Sequence, residues 1–350
     1  MTDDAGLIRP ARLADRQALA ALSRSVHLSE ESHRRSLGVP APPETLPRIS
    51  LSDLVRSWLP MRSPSVHLVA EVDGELVGSC RAIEEPHRDD WAITELDAAD
   101  APMAAEVRFA LLRALVEEGA KHNVARFHAA CSDAPENLTL FRQIGFAAYA
   151  AEEIFYRPPD GERGARSWLR TILPGGATGA SAGGLAQPSL QSIGPADAWH
   201  LFDLWTHATP PAVARVEDYS AADWEPVGHE GVVPRSSLNP LLHFSSVNAW
   251  AVGDGQRLAA FAQHGASREG PHYLRFLIRD GADGGGFLGA VLSALGDEAA
   301  AAGIIAPVRT YEAAGLRAAG SAGFEPIGQV TMLVREVRAQ VRQPAMVPAI

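Results

Sequence analysis

Residues 137–157 read NLTLFRQIGFAAYAAEEIFYR. The first part is a short helix that stops at Gly145-Phe146, and a closing strand then runs through IFYR to Arg157. Glycine just past the last apolar helical residue is a helix-stop signal. The preceding residues, ARFHAAC at 125–131, form a strand, and AAEVRFALLRALVEEGAKHN at 104–123 forms a long helix. In that helix Val107, Leu111 and Leu115 face one way, while Arg108, Arg113, Glu117 and Lys121 lie mostly on the polar side. Further upstream, WAITELD at 91–97 is a strand, and HLVAEV, Asp73-Gly74 and ELVGSCRAI form a hairpin. The chain opens with LIRPARLADRQALAALSRSV, a short strand and then a helix started near Asp15.

The same order recurs in the second half. LQSIGPADAWHLFDLWTHA opens it; VNAWAV, Gly253-Asp254-Gly255 and RLAAFAQ make a hairpin; HYLRFLI at 272–278 is a strand. FLGAVLSALGDEAAAAG at 287–303 is a helix, and a second Gly-Phe, Gly323-Phe324, precedes a closing strand through MLVR. From Gly74 to Gly145 is 145 − 74 = 71 residues, and from Gly255 to Gly323 is 323 − 255 = 68. From each Gly-Phe glycine to the closing arginine is 12 residues, 157 − 145 and 335 − 323. Shared order at shared spacing identifies an internal duplication. The expected organisation is a module at 1–157, a Gly/Pro/Ala-rich linker at 158–188 with a short helix near 167–173, and a second module at 189–350.

Bulk properties agree with two globular domains. The chain has 350 residues, of which 46% are hydrophobic and 21% charged. A net charge of −11 with no Lys/Arg run argues against nucleic acid or an anionic membrane as partner, and favours a cationic acceptor such as an amine. The N-terminus has no signal pattern and no 18-residue apolar run occurs, so the cytoplasm is the expected compartment. Cys80 and Cys131 lie in strands and outside any CxxC pair, which reads as buried reduced thiols. None of the twelve histidines falls in an HExxH or a close His/Asp ligand set, so no metal is expected. His128 reads as a half-buried strand histidine and His229-Glu230 as an exposed loop pair.

This order of elements, with 137–157 as its most telling piece, resembles the GNAT N-acetyltransferase family. IRPARLADRQALAAL and FALLRALVEEGAKHN look like that family too, and PVRTYEAAGLRAAGSAGFEPIG is similar to a variant of it. The resemblance covers nearly all of 6–157 and, more weakly, 190–338. It implies an α/β fold of two modules, each a mixed, mostly antiparallel sheet flanked by helices and splayed between its fourth and fifth strands. It also implies acetyl-CoA as co-substrate in that split, and direct acyl transfer to an amine with no metal. A base takes the amine's proton, and often a Tyr on the short helix protonates the leaving thiolate.

The residues depart from that pattern. The family holds pyrophosphate on a helix N-terminus with a basic residue or Gln, then Gly-x-Gly or Gly-x-Ala. In Met103–Arg108 the glycine positions carry Glu106 and Arg108; a carboxylate there repels pyrophosphate and Arg108 helps only if its side chain folds back, so a weakened or absent cofactor site is expected in the first module, while Glu106 alternatively just suits a first helical turn. The second module offers Gly284, Gly285, Gly286, Phe287, Leu288 and Gly289 as the cofactor stretch, with Leu288 in the second glycine position and Asp283 where a cation is usual. A bare strand-to-helix connector explains that run equally well. The Tyr positions hold Phe141 and Ala319, and Tyr311, eight residues before Ala319, is the remaining hydroxyl within reach. Glu95 stands on the strand where several family members place a base; its alternative is an ordinary solvent-facing carboxylate.

The expected function is acyl-CoA-dependent N-acyl transfer, with Glu95 and Tyr311 as catalytic groups, to an amine on a small molecule or peptide. The cofactor is expected slightly more in the C-terminal module. Phe244, Trp205, Trp224 and Trp250 are available to line the acceptor side, with the variable stretches 28–62 and 206–243. The alternative is a degenerate GNAT-like binding or regulatory protein. Two packed modules can mimic a dimer, so a monomer or a homodimer fits.

Overall fold

The computed structural model describes residues 6–40, 65–85, 88–159, 188–225, 227, 234–238, 244–267 and 270–337. Of the linker expected at 158–188, residues 160–187, with the short helix expected near 167–173, lie outside them, as does His229-Glu230. The first module runs β1 (Leu7–Pro10), α1 (Arg16–Leu28), α2 (Glu30–Arg35), β2 (Ser65–Val72), β3 (Glu75–Glu84), β4 (Asp90–Ala98), α3 (Ala104–Lys121), β5 (Arg126–Ser132), α4 (Pro135–Gln143) and β6 (Ala147–Arg157). The second repeats it: β7 (Gln191–Ser192), α5 (Ala198–Ala208), α6 (Pro211–Glu217), β8 (Phe244–Gly253), β9 (Leu258–Ser267), β10 (His272–Ile278), α7 (Gly284–Ala302), β11 (Ile304–Arg309), α8 (Ala313–Ser321) and β12 (Glu325–Glu336).

Local chemistry explains the boundaries. Val72 pairs with Glu75 across a two-residue turn in which Asp73 and Gly74 both have positive φ, 51° and 84°. That turn matches the twist of the strands it joins. Gly145 and Gly323, at φ 89° and 81°, reverse the chain after α4 and α8. In α3, a Cβ on Gly119 would stand 2.1 Å from the Phe127 ring, so only glycine lets the helix settle onto β5. One core packs α3 and α4 on the first half of the sheet through Leu111, Leu115, Phe127 and Phe141. A second packs α7 and α8 on the other half through Phe276, Phe287, Leu288 and Val308.

The twelve strands of the described residues join one sheet in the order β1-β2-β3-β4-β5-β12-β6-β11-β10-β9-β8-β7. Among the described residues only β4–β5 and β10–β11 are parallel. The sequence suggests a closing strand within each half, but the structure exchanges them. β12 lies against β5 from Val330↔Ser132 to Glu336↔Arg126, and β6 lies against β11 from Ile304↔Arg157 to Arg309↔Glu152. The two guests also pair with each other, Glu325↔Tyr156 through Val334↔Ala147. Repetition cannot reveal this, because two equivalent strands satisfy either neighbour equally in composition.

Polar contacts bind the halves on the α5–α6 face. Arg235 meets Glu85 through two nitrogens and lies 3.6 Å from Asp90. Arg88 donates to the Glu217 carbonyl at 2.6 Å, and Arg126 to Asp218 at 2.8 Å. Arg309 is 3.1 Å from Glu152 and 2.5 Å from Glu217. Buried pairs of this kind cost most when one partner is removed.

Ending the chain after Gly323 removes β12 and leaves both β5 and β6 with an unpaired edge. The expected result is loss of amide-exchange protection in β5, in the half of the chain that was not cut. A truncated protein with β5 still protected would refute the exchange.

Candidate functional site

Both parallel pairs part early. β4 and β5 pair from Asp90↔Arg126 to Ala92↔His128, and β10 and β11 only at His272↔Ile304 and Tyr273↔Ile305. Each module therefore has a split between its fourth and fifth strands, with a helix N-terminus (α3 or α7) above it. What fills each split differs.

The second split is closed by its own helices. A Cβ on Gly284 would lie 2.9 Å from both Ala318 Cβ and Ile278 Cδ1, so the start of α7 sits directly on α8. Gly315 brings α8 onto Val308 and Phe276, on the two diverging strands, where a Cβ would lie 3.2 Å and 3.5 Å from them. Of the glycines expected to admit a phosphate chain, Gly284 instead admits the neighbouring helix, and Gly286 makes room for the side chain of Asp283. Phe287 and Leu288 are core residues, and Gly289 faces open space on the helix. The anion position at the α7 N-terminus is taken by Asp283, whose carboxylate accepts the Gly286 N–H at 2.9 Å. A second anion there meets repulsion, so acetyl-CoA does not fit the residues present.

Tyr311 is half-buried just after β11, among Arg309, Glu217, Glu312 and Arg275, with its hydroxyl pushed upward by burial. Glu95 belongs to β4, and four strand spacings, about 19 Å, separate β4 from β11. The two residues paired as catalytic groups therefore belong to different splits. Trp205 and Trp224 are core residues packed on Tyr219 and Phe261, so neither lines an acceptor pocket. Phe141 stacks edge-on against Phe146 in the first core, and Ala319 is buried in the second.

The first split has a different filling. Asn137 on α4 donates to the carbonyls of Arg34 and Ser36, both at 2.8 Å, and to Ser132 Oγ at 3.0 Å. Leu37 accepts the Ser132 N–H at 2.7 Å, and Ser36 hydrogen-bonds Asp97. Ser36 and Leu37 thus bridge β4 to β5. Gly38, at φ 61°, permits the approach, since a Cβ there would stand 2.9 Å from Ser132 Oγ. Above the bridge, Arg108 turns inward from α3 and donates to Asn137 Oδ1 at 3.2 Å. This buried guanidinium occupies the position where the family has its second phosphate-loop glycine.

On the other face of β4 lies a group of titratable side chains. A bulge opposite Arg81/Ala82 inserts Thr94, so Ile93 and Leu96 face α3 while Glu95 and Asp97 both face α1 and α2. Glu95 accepts a hydrogen bond from Ser79 and lies 3.7 Å from His67 Nε2. Burial pushes its carboxyl up, but His67, Ser79 and Arg81 outweigh that and hold it below the usual carboxylate range. Asp97, two residues on, is raised well above that range by burial and by the Glu95 charge. His27 Nε2 lies 3.9 Å from Asp97, and His27 Nδ1 is 2.9 Å from His33 Nδ1. Sequence reading found Glu95 and missed Asp97, His27 and His33. The i, i+2 pair of acids in TELD, on one face by strand alternation, was the available signal.

A cavity of about 460 Å³, lined by Trp91, His122, Glu118 and His67, opens near the other end of β4, away from the bridge. Cys80 and Cys131 are buried free thiols, with Cys131 pushed up to about 12 by burial. His128 is buried 3.6 Å from Asp90 and kept neutral, at about 4, by burial and Arg235. Among the described residues, no three His, Cys, Asp or Glu side chains gather to hold a metal, and no helix is long and apolar enough to cross a membrane.

No sequence family matches the chain, and no curated protein matches it by sequence. Solved structures do. A tandem GNAT protein from the clavulanic acid biosynthesis pathway, determined without acetyl-CoA, superposes with a TM-score of 0.54 at 14% identity, over 94% of this chain and 98% of that one. A GCN5-related N-acetyltransferase from Sphaerobacter thermophilus gives 0.53 at 14% identity, over 96% of both chains. The fold is the tandem GNAT fold, spread over nearly the whole chain.

Two measurements check these assignments. Gly284→Val should destabilise the protein by about 1–3 kcal/mol in denaturant titration, the cost of overpacking a tight contact; a neutral effect would mean that α7 and α8 stand apart. Asp97 holds a proton in the folded state where an unfolded aspartate has lost it above about pH 4. Folding therefore takes up a proton, and stability falls as pH rises from there until the folded pKa is passed. Asp97→Asn lacks this loss, so its Tm should exceed the parent's near about pH 8 and converge with it near about pH 4. The opposite order at high pH would overturn the protonation assigned to Asp97.

Proposed function

We propose that the protein is an acyl-CoA-dependent N-acyltransferase that works through the split of its first module. The observation that carries this reading is the contrast between the two splits. The first keeps a buried cation, Arg108, at its α3 end and two β4 carboxylates of opposite protonation, Glu95 and Asp97, at its α1–α2 end. The second is sealed by helix packing and carries its own carboxylate at the anion position.

The division of labour follows from which groups face which side. Arg108 and the first-turn N–H groups of α3 attract the phosphates of the acyl donor, against repulsion from Glu106 in the same turn. The amine approaches from the α1–α2 side, where its ammonium form is attracted by Glu95 and by the net charge of −11. The ammonium gives one proton to a side chain on β4, the freed lone pair forms the C–N bond as the C–S bond breaks, and the second nitrogen proton ends on the departing thiolate. Phe141 supplies no hydroxyl at the tyrosine position, so solvent carries that second proton to the sulfur. The acceptor is a small-molecule or peptide amine.

A second reading, a GNAT-like binding protein without chemistry, is favoured by the Ser36–Leu37 bridge, which must shift before a thioester can lie between β4 and β5. Calorimetric titration with acetyl-CoA separates the two. Binding that weakens about tenfold in Arg108→Ala, about 1.4 kcal/mol, supports acyl transfer in the first module. Absence of binding at millimolar acetyl-CoA supports the binding protein.

A further inference from the structure

We propose that the cavity at the start of β4 is a binding site for a small organic cation, an amine with an apolar body, separate from the first split. The site stands whether or not that split transfers acyl groups.

The cavity forms where four strands have their ends. β1 stops at Pro10, β2 starts at Ser65, β3 stops at Glu84 and β4 starts at Asp90, with the C-terminus of α3 beside them. Its volume of about 460 Å³ falls in the usual range of small-molecule pockets, about 300–1,000 Å³. β4 and β5 part beyond Ala92, toward Asp97, whereas the cavity sits at Asp89 and Trp91. Along the strand roughly 13 Å separates Trp91 from Glu95. An amine held in the cavity therefore does not reach a thioester in the split.

The wall has two sides of different character. One is apolar, made by Val66, Leu68, Trp91 and Val124. Trp91 is fixed edge-on to Phe127 and tilted against His122, with ring centroids 5.7 Å and 5.6 Å away. A fixed indole attracts a cation over its face. The other side carries carboxylates from three elements: Glu84 at the end of β3, Asp89 just before β4 and Glu118 in the last turn of α3. The carbonyl end of α3 adds potential of the same sign. Arg12 is the guanidinium of the wall, and it is exposed. Glu118 is shared with Lys121 at 2.7 Å and His122 at 3.4 Å, so Glu84 and Asp89 are the carboxylates on which the charge argument is tested.

The same wall holds a polar group in want of a partner. His67 lines the cavity with its side chain 9% exposed, and its Nε2 makes no hydrogen bond among the described residues. The Glu95 carboxylate, 3.7 Å off, is beyond hydrogen-bond length. A buried ring nitrogen without a partner is costly unless a ligand or water supplies one. An anion in this cavity meets three carboxylates and a helix carbonyl end. A neutral apolar molecule strips water from those carboxylates and returns nothing. An amine with an apolar body satisfies both sides of the wall.

The test is indole ¹H–¹⁵N NMR of the full chain, with the Trp91 signal assigned from Trp91→Phe or, should that variant not fold, from its nuclear Overhauser contacts to Phe127 and His122. Three probes of one shape are titrated: phenylethylamine, phenylethanol and phenylacetate. The amine should move the Trp91 signal with a Kd of about 1 mM, and the other two should bind about tenfold more weakly or worse. Glu84→Gln combined with Asp89→Asn keeps side-chain size, and should weaken the amine about tenfold, to the level of the alcohol. The probe comparison is made on the parent and needs no variant. An unmoved Trp91 signal at about 10 mM amine, equal binding of the alcohol or the carboxylate, or undiminished binding in the double variant each overturns the cation site. Other indole signals that move while Trp91 stays place the amine elsewhere, which overturns the site and leaves the acyl-transfer reading standing.

Discussion

Each half of the chain lends its last strand to the other, and the rest of the molecule is arranged around that exchange. β12 is held on both edges, by β5 and by β6, and β6 is held by β12 and by β11. Backbone hydrogen bonds on both sides of two guest strands leave no place where the sheet can part without exposing a row of unpaired groups. Among the strand pairs of the described residues, β5–β12 joins positions farthest apart in sequence, so closure of a long loop precedes its gain, a slow route to a cooperative fold. The exchange sets the two splits a fixed four strands apart and brings α6 and its following residues over Asp90, Arg88 and Arg126 of the first half.

Within that frame, two copies of one architecture have diverged by side-chain size. In the second copy Gly284, Gly315, Ala318 and Ala319 let α8 sink against α7 and across the diverging strands, and the space a ligand would use became core. Close packing of this kind is favourable in itself and is paid back in lost function. In the first copy larger polar residues, Arg108 and Asn137, keep α3 and α4 linked by a hydrogen bond, and a backbone bridge lies in the split. Hydrogen bonds to a peptide segment can be exchanged for bonds to a ligand at small net cost; a packed apolar interface cannot.

The element order, the repeat and the GNAT architecture were legible in the sequence because they rest on local signals: the Asp73-Gly74 turn, the Gly-Phe helix stops, and the apolar faces of the long helices. The exchange of β6 and β12 was not, since strand partnership is non-local and the two strands are interchangeable in pattern. The glycine run before α7 was ambiguous for a related reason. Glycine marks close approach, and composition does not say whether the approaching group is a phosphate or the helix at Ala318. Glu95 was visible by position on its strand, and Asp97, two residues on, shares its face by ordinary alternation; what local pattern does not show is the bulge at Thr94, which puts Ile93 on the opposite face from both acids.

That bulge has a chemical consequence. Two carboxylates on one buried face cannot both ionise cheaply, so the environment decides which keeps the charge. Ser79 and His67 settle it in favour of Glu95, and the charge on Glu95 then raises Asp97. A strand in regular alternation could present 95 and 97 to one face only by giving up either Ile93 or Leu96 from the α3 core; the inserted residue keeps both. One extra residue in β4 thus separates the pair from the core and leaves one acid ionised and its neighbour protonated. The acid whose pKa is raised stands 3.9 Å from His27 Nε2, and the other nitrogen of that ring is 2.9 Å from His33.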